Sequence, residues 1–201
     1  MNLPAPDSFQ IVSYPHPALR VPAKALQRVD ATLLAVARRM LDLMYDAKGV
    51  GLAANQIGLP IRLFVANPSG DPADGEELIL INPVLQFPKG SDTAQEGCLS
   101  LPGVHADVKR PKKIELSGYD LSGQEVCRKV DGFLARILQH ELDHLDGVMF
   151  VDRLSEESRA EVEGLLGELE SDFRAKQRAG EIESDDDLVA SFQPWLDAYT
   201  T

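Results

Sequence analysis

Gln139-His140-Glu141-Leu142-Asp143-His144-Leu145-Asp146-Gly147 decides how the rest of the chain is read. On a helix the His-Glu-x-x-His spacing puts both imidazoles on one face, one turn apart, where they can share a metal ion. The intervening Glu141 projects close to such an ion without being needed as a ligand, the place of a general base toward water. The flanks predict a helix: Asp131 as N-cap, Gly147 just past the end, and Phe133, Ile137, His140 and His144 on one inward stripe. A five-residue pattern with two free positions also arises by chance, and a buried histidine is more often a satisfied core residue than a ligand.

A catalytic tetrahedral site needs a third protein ligand, and Glu96-Gly97-Cys98-Leu99-Ser100 offers one in Cys98. Upstream stands Gly49-Val50-Gly51-Leu52-Ala53-Ala54-Asn55-Gln56, whose glycines allow close approach by another backbone. It is a poor phosphate cradle, having neither a Walker ending nor the third glycine of a dinucleotide fingerprint. Taken in order, the three stretches resemble the peptide deformylases, whose signatures are Gly-x-Gly-x-Ala-Ala-x-Gln, Glu-Gly-Cys-Leu-Ser and Gln-His-Glu-x-Asp-His-Leu. The resemblance runs from about residue 11 to about 152 and takes in Tyr14-Pro15-His16-Pro17 and Arg110.

The resemblance implies metal-dependent removal of the formyl group from N-terminal formyl-methionine of new polypeptides, releasing formate. It implies one divalent cation on Cys98, His140 and His144, Fe(II) by family habit, with Zn, Ni or Co possible. Glu141 is then the proton carrier, and Gln56 and the Leu99 backbone N–H are oxyanion donors. Val50, Phe133, Ile137 and His140 would line a methionine pocket, and Val50, Gly51, Gly97 and Leu99 would offer backbone groups to an extended peptide. Glu96 and Arg110, opposite charges flanking the cysteine segment, are expected to pair and orient it. His105 departs from the family's usual residue, leaving open whether it touches substrate or sits in a loop.

Two rivals share the histidine motif. A zinc endopeptidase of the metzincin type needs a third histidine downstream of His144, and the residues that follow supply none. An inactive metal-binding homologue has no need of Glu141 or Gln56.

The remainder of the chain predicts an α+β fold: mostly antiparallel strands around a central metal-binding helix, with a C-terminal helix. Asp30 caps a helix carrying Leu33, Ala37, Met40 and Met44 at core spacing. Strands are expected at 61–65, at 78–81 and 84–87 with Asn82-Pro83 as a break, then at 104–108, 114–119 and 126–130, the last two joined by a hairpin at 120–123. Residues 89–95 read as turn. Ser155 starts a helix with Val162, Leu165, Leu166, Leu169 and Phe173 on one stripe. The expected organisation is one catalytic domain over 1–180, including that helix, and an acidic tail over 181–201 that is solvated to 187 and apolar enough to dock over 188–196.

With 201 residues and 44% hydrophobic composition, one domain with a sizeable core is the natural size. No apolar run is long enough to span a bilayer, and residues 1–10 lack a basic start and a hydrophobic segment, so a cytoplasmic location without membrane association is expected. Two cysteines, Cys98 and Cys127, make a poor disulfide scaffold and suit a reducing compartment. A formal net charge of −12 argues against direct nucleic-acid binding. With residues 155–201 predominantly acidic, ribosome contact is expected to be transient if it occurs at all.

Overall fold

The computed structural model describes residues 3–200. Its strands are β1 (Gly51–Ala53), β2 (Leu63–Ala66), β3 (Leu78–Lys89), β4 (Asp92–Cys98), β5 (Leu101–Arg110), β6 (Lys113–Tyr119) and β7 (Glu125–Asp131). Five form an antiparallel sheet in the order β1-β2-β3-β6-β7, and β4 pairs with β5 in a separate antiparallel ribbon. The helices are α1 (Ala31–Asp46), α2 (Gly132–Leu145), α3 (Glu156–Ala179) and α4 (Asp185–Tyr199). The fold is α+β, with α2 packed across the sheet and carrying the histidine motif. No helix among the described residues is long and apolar enough to cross a membrane.

The Asp30 carboxylate accepts from the Thr32 and Leu33 N–H groups at 3.0 Å each and so starts α1, which buries Leu33, Ala37, Met40 and Met44. β3 is one strand where two were expected. Asn82, at φ +50°, makes a bulge between Ile81 and Val84, and its amide bonds both the N–H and the C=O of Leu26 at 2.8 Å. The predicted break is thus absorbed without ending the strand. Of the run expected as turn, only 90–91 lie between strands: Lys89 ends β3 and 92–95 already belong to β4, which pairs Asp92 with Arg110 and Thr93 with Lys109. A ribbon whose outer face meets water has no need of apolar residues there.

At the start of α2, Asp131 has the extended backbone of an N-cap, but its carboxylate bonds no helix N–H and lies 3.4 Å from Lys113 Nζ instead. The corner between β7 and α2 is made by Gly132, at φ +62°. At the far end Gly147 sits at φ +74°, where a Cβ would meet the Arg20 carbonyl oxygen at 2.7 Å. Ile137 and His144 are buried as the stripe required. Phe133 is not: it is 56% exposed, one turn ahead of Ile137, facing an open cleft.

α3 buries Val162, Leu166 and Phe173, with Leu169 partly covered, while Leu165 points outward. Within the expected tail the chain forms α4, Asp185–Tyr199. Ser184 caps it, three aspartates occupy its first turn where the helix dipole favours them, and Phe192, Trp195, Leu196 and Tyr199 are buried in the same core cluster as α1. Tyr199 Oη donates to Asp30 Oδ1 at 2.8 Å, tying α4 to the cap of α1. Tyr199→Phe should lower unfolding free energy by about 1.5 kcal/mol in urea titrations, the lower end for a hydrogen bond to a charged group.

His16 lies between α3 and α4, its ring 6.4 Å from Phe173 and 6.2 Å from Phe192, and its Nδ1 accepts from the Ala18 N–H at 3.2 Å. Burial holds it down at about 4, against the pull of Asp185. Between pH 6.5 and 4 the unfolded chain therefore binds a proton that the folded chain refuses. The stabilisation is complete above pH 6.5 and lost as pH falls toward 4, about 3 kcal/mol in all. In His16→Asn, which keeps an acceptor for Ala18, that part of the acid destabilisation should disappear from stability measured against pH.

Candidate metal centre and cleft

Three donors from two elements converge. Cys98 ends β4, and α2 supplies His140 and His144. Cys98 Sγ is 3.3 Å from His144 Nε2, the two Nε2 atoms are 3.2 Å apart, and all three donors lie within 4.8 Å of one another. A tetrahedral ion with metal–nitrogen bonds near 2.05 Å sets its nitrogens roughly 3.3 Å apart, so the spacing fits one ion. Glu96 Oε2 lies 3.0 Å from His140 Nδ1, so that with the ring proton on Nδ1 the Nε2 lone pair faces the other two donors. Two lone pairs and a sulfur pointed at one spot repel unless positive charge lies between them. The donor set therefore suits a divalent cation.

The local electrostatics agree. Burial alone would lower His140, but Cys98, Glu96 and Glu141 overcome it and raise it to about 10. Burial, together with His140, keeps His144 well below the ordinary range. The cluster thus draws in positive charge but has room for little of it.

Glu141 is buried beside these three donors and borders the cleft. Burial pushes its carboxyl up to about 7, against His140 and Arg110, and a bound cation would act in the same direction as those two. Its Oε1 rests against Gly51, where a Cβ would come within 2.3 Å, and its Oε2 is buried with no hydrogen-bond partner among the described residues. Gly51→Ala should displace this carboxylate and lower kcat by about 100-fold, the scale of a 1 Å misplacement, with metal content unchanged by elemental analysis.

Gln56 sits in a helical turn, 54–57, and is buried. Its Oε1 accepts from the Ala53 N–H at 2.8 Å, which fixes the amide so that Nε2 faces Cys98 Sγ and Ser100 Oγ, each at 3.4 Å. The Ser100 N–H also reaches Cys98 Sγ at 3.4 Å. Leu99 lies in the tight turn between β4 and β5.

A cleft of about 590 Å³ opens over this centre. Val50, Gly51, Gln56, Gly97, Cys98, Leu99, Phe133, Ile137, His140 and Glu141 all line it, whereas His144 is fully buried behind. His105 belongs to β5 rather than a loop. It lies opposite Gly97, whose added Cβ would be 2.7 Å from its ring, and it lines the same cleft.

Behind these three side chains is a buried ionic network. Arg110 donates to Glu96 through Nε (2.6 Å) and Nη2 (2.8 Å), and through Nη1 to Asp143 (2.7 Å). Those contacts and His140 hold the Glu96 carboxyl at about 2 although burial opposes it. Sequence reasoning paired Glu96 with Arg110 but missed Arg136, which donates to Glu96 Oε1 at 2.7 Å, and Asp143, which also binds Arg153. The available signal was spacing: Arg136 lies four residues before His140 on the same helix face.

The family model for polypeptide deformylase matches residues 8–160. A peptide deformylase of Rhodopirellula baltica is 51% identical over 192 residues, 96% of each chain. The chloroplastic peptide deformylase 1B of Oryza sativa is 39% identical over 166 residues, 82% of this chain and 62% of that one. Among solved structures, peptide deformylase 1B of Arabidopsis thaliana in complex with an inhibitor aligns with a TM-score of 0.80 at 37% identity, covering 85% of this chain and 94% of that one. Peptide deformylase from Plasmodium falciparum aligns with a TM-score of 0.80 at 37% identity, over 83% and 98%. With sequence agreement across nearly the whole chain and the same fold around the cysteine and histidine cluster, this chain belongs to the peptide deformylase family of metal-dependent hydrolases.

Proposed function

We propose that the deformylase reaction is carried out by Glu141, Gln56 and Leu99 around one divalent cation held by Cys98, His140 and His144. Fe(II) is the ion implied by family resemblance, and Zn, Ni or Co fit the same donors. Bound there, the ion would supply Lewis acidity, polarising the formyl carbonyl and easing deprotonation of water. Glu141 takes the proton from the attacking water and returns it to the leaving amine, so that water and the formamide become formate and a free amino group. Its buried, unpartnered oxygen is suited to receiving that proton. Gln56 Nε2 and the Leu99 N–H serve as oxyanion donors, the former locked in orientation by Ala53.

The substrate is the N-formylmethionyl end of a nascent peptide. Val50, Phe133, Ile137 and His140 receive the methionine side chain. β1 is the outermost strand of its sheet and β4 pairs on one side only, so Val50, Gly51, Gly97 and Leu99 offer backbone groups to an extended chain running between them. Selectivity for formyl comes from shape, since a carbonyl ending in hydrogen enters where a larger acyl group does not. The setting is a reducing cytoplasm in which Cys98 stays reduced and able to bind metal. Ribosome contact is brief if it occurs at all, without direct nucleic-acid binding, in keeping with the acidic 155–201 segment.

The observation that carries this reading is the convergence of Cys98 Sγ, His140 Nε2 and His144 Nε2 beside Glu141 on the cleft. It also separates the site from an endopeptidase of the metzincin type, because the third donor comes from β4 and not from a downstream histidine. Formate release from a formyl-methionyl tripeptide, run beside an unformylated peptide, tests it. Formate with every peptide bond intact is expected. Cleavage of the control peptide, or no formate from metal-loaded protein, would contradict it.

A further inference from the structure

Glu96 uses all four of its lone-pair positions. Oε1 accepts from Arg110 Nε at 2.6 Å and Arg136 Nη1 at 2.7 Å, and Oε2 accepts from Arg110 Nη2 at 2.8 Å and engages His140 Nδ1 at 3.0 Å. Arg110 alone holds the carboxylate by a two-pronged contact, which fixes both its position and its plane. Arg110 is in turn balanced by Asp143, and Asp143 by Arg153. Glu96, Asp143, Arg110 and Arg153 therefore form a complete set of two carboxylates and two guanidiniums.

Arg136 adds a fifth charge to this balanced group. Its guanidinium is anchored separately, to the Val108 carbonyl at 2.8 Å and the Asp92 carbonyl at 3.0 Å, and its nearest other carboxylate, Asp92, is 58% exposed and 3.8 Å away. Arg136 itself is 10% exposed and lines the cleft. Arg136 thus places a further positive charge, only loosely paired with Asp92, beside the candidate cation site, where it opposes cation binding.

We propose that Arg136 is a positioning residue that tempers Glu96: by sharing its negative charge it limits how strongly Glu96 pulls on the His140 N–H, and so how strongly His140 Nε2 donates to the cation. The inference rests on the metal-site reading above. A carboxylate partner raises the basicity of a ligating imidazole, and anything that spreads the carboxylate's charge lowers it again. A cation held there would be more electron-poor and would polarise a carbonyl more effectively, at the expense of affinity.

The sign of the effect distinguishes this role from simple bracing. In Arg136→Gln, which removes the charge while keeping a donor, Co(II) affinity measured by chelator competition should rise roughly tenfold, at the lower edge of the range for changes around metal ligands. The visible absorption of the Co(II) protein should shift, and kcat should fall. Arg136→Lys, which keeps the charge, should return affinity and spectrum toward the unsubstituted protein. Unchanged or weaker Co(II) binding in both variants, with circular dichroism showing them folded, would overturn the proposal and leave Arg136 a brace. If the unsubstituted protein fails to bind one Co(II) per chain, or Cys98→Ser binds it equally well, the metal-site reading falls and this inference with it.

Discussion

Glu141→Gln should lower kcat/KM for a formyl-methionyl peptide by about 10² to 10⁴-fold, the range spanned by a positioned general acid–base. Glutamine matches the shape of glutamate, so packing against Gly51 is retained, and Cys98, His140 and His144 are untouched. Metal content and far-UV circular dichroism should therefore match the unsubstituted protein. Stability should hold or rise slightly, because burial already disfavours the charged carboxylate that is being removed. Steady-state kinetics with metal analysis on the same preparation checks this. A variant keeping more than a tenth of the activity would place proton transfer elsewhere in the cleft.

The second large effect is structural. Arg110→Ala strips Glu96 of its two-pronged partner and Asp143 of one of two, leaving buried carboxylates short of compensating charge. Breaking a buried pair on one side costs about 3–5 kcal/mol, a large share of the stability of a domain of this size. Urea unfolding should show that loss, and metal affinity should fall by roughly 10 to 100-fold as Glu96 loosens its hold on His140. The Lys113–Asp131 pair, 65% and 68% exposed, is a fitting comparison: Lys113→Ala should change stability by less than about 1 kcal/mol. Arg110→Ala with unchanged metal content and activity would remove the supporting role assigned to this network.

The candidate donor residues were legible in part because two of them obey a strong local constraint. His140 and His144 are four apart on a helix, and helical spacing alone puts both imidazoles on one face. Cys98 has no such local tie to them. It lies more than 40 residues upstream on β4, and only a family pattern brought it to the histidines. The α1 cap at Asp30 was equally local and is present in the structure.

What escaped the sequence depends on neighbours distant along the chain. Asn82-Pro83 reads as a break, yet Leu26, 56 residues away, supplies backbone partners for the Asn82 amide and lets β3 continue. Phe133 satisfies the helical stripe, but whether a stripe position is covered depends on what lies opposite, and opposite Phe133 is the cleft. Leu165 is left outside for a related reason, since α3 meets β5 over a narrow face through Val162 and Leu166. Arg136 carries charge on the inward side of α2, where periodicity expects an apolar residue. Its partners Glu96 and Val108 come from the β4–β5 ribbon, so its burial could not be read from α2 alone.

The central claim, that one cation on Cys98, His140 and His144 is required for deformylation, is tested most directly by titrating metal-stripped protein with Fe(II) or Ni(II) under anaerobic conditions while formate release is followed. Activity should rise linearly to one ion per chain and then level, and Cys98→Ala should show neither the break nor the activity. Full activity in metal-stripped protein, or an undiminished titration in Cys98→Ala, would contradict the account.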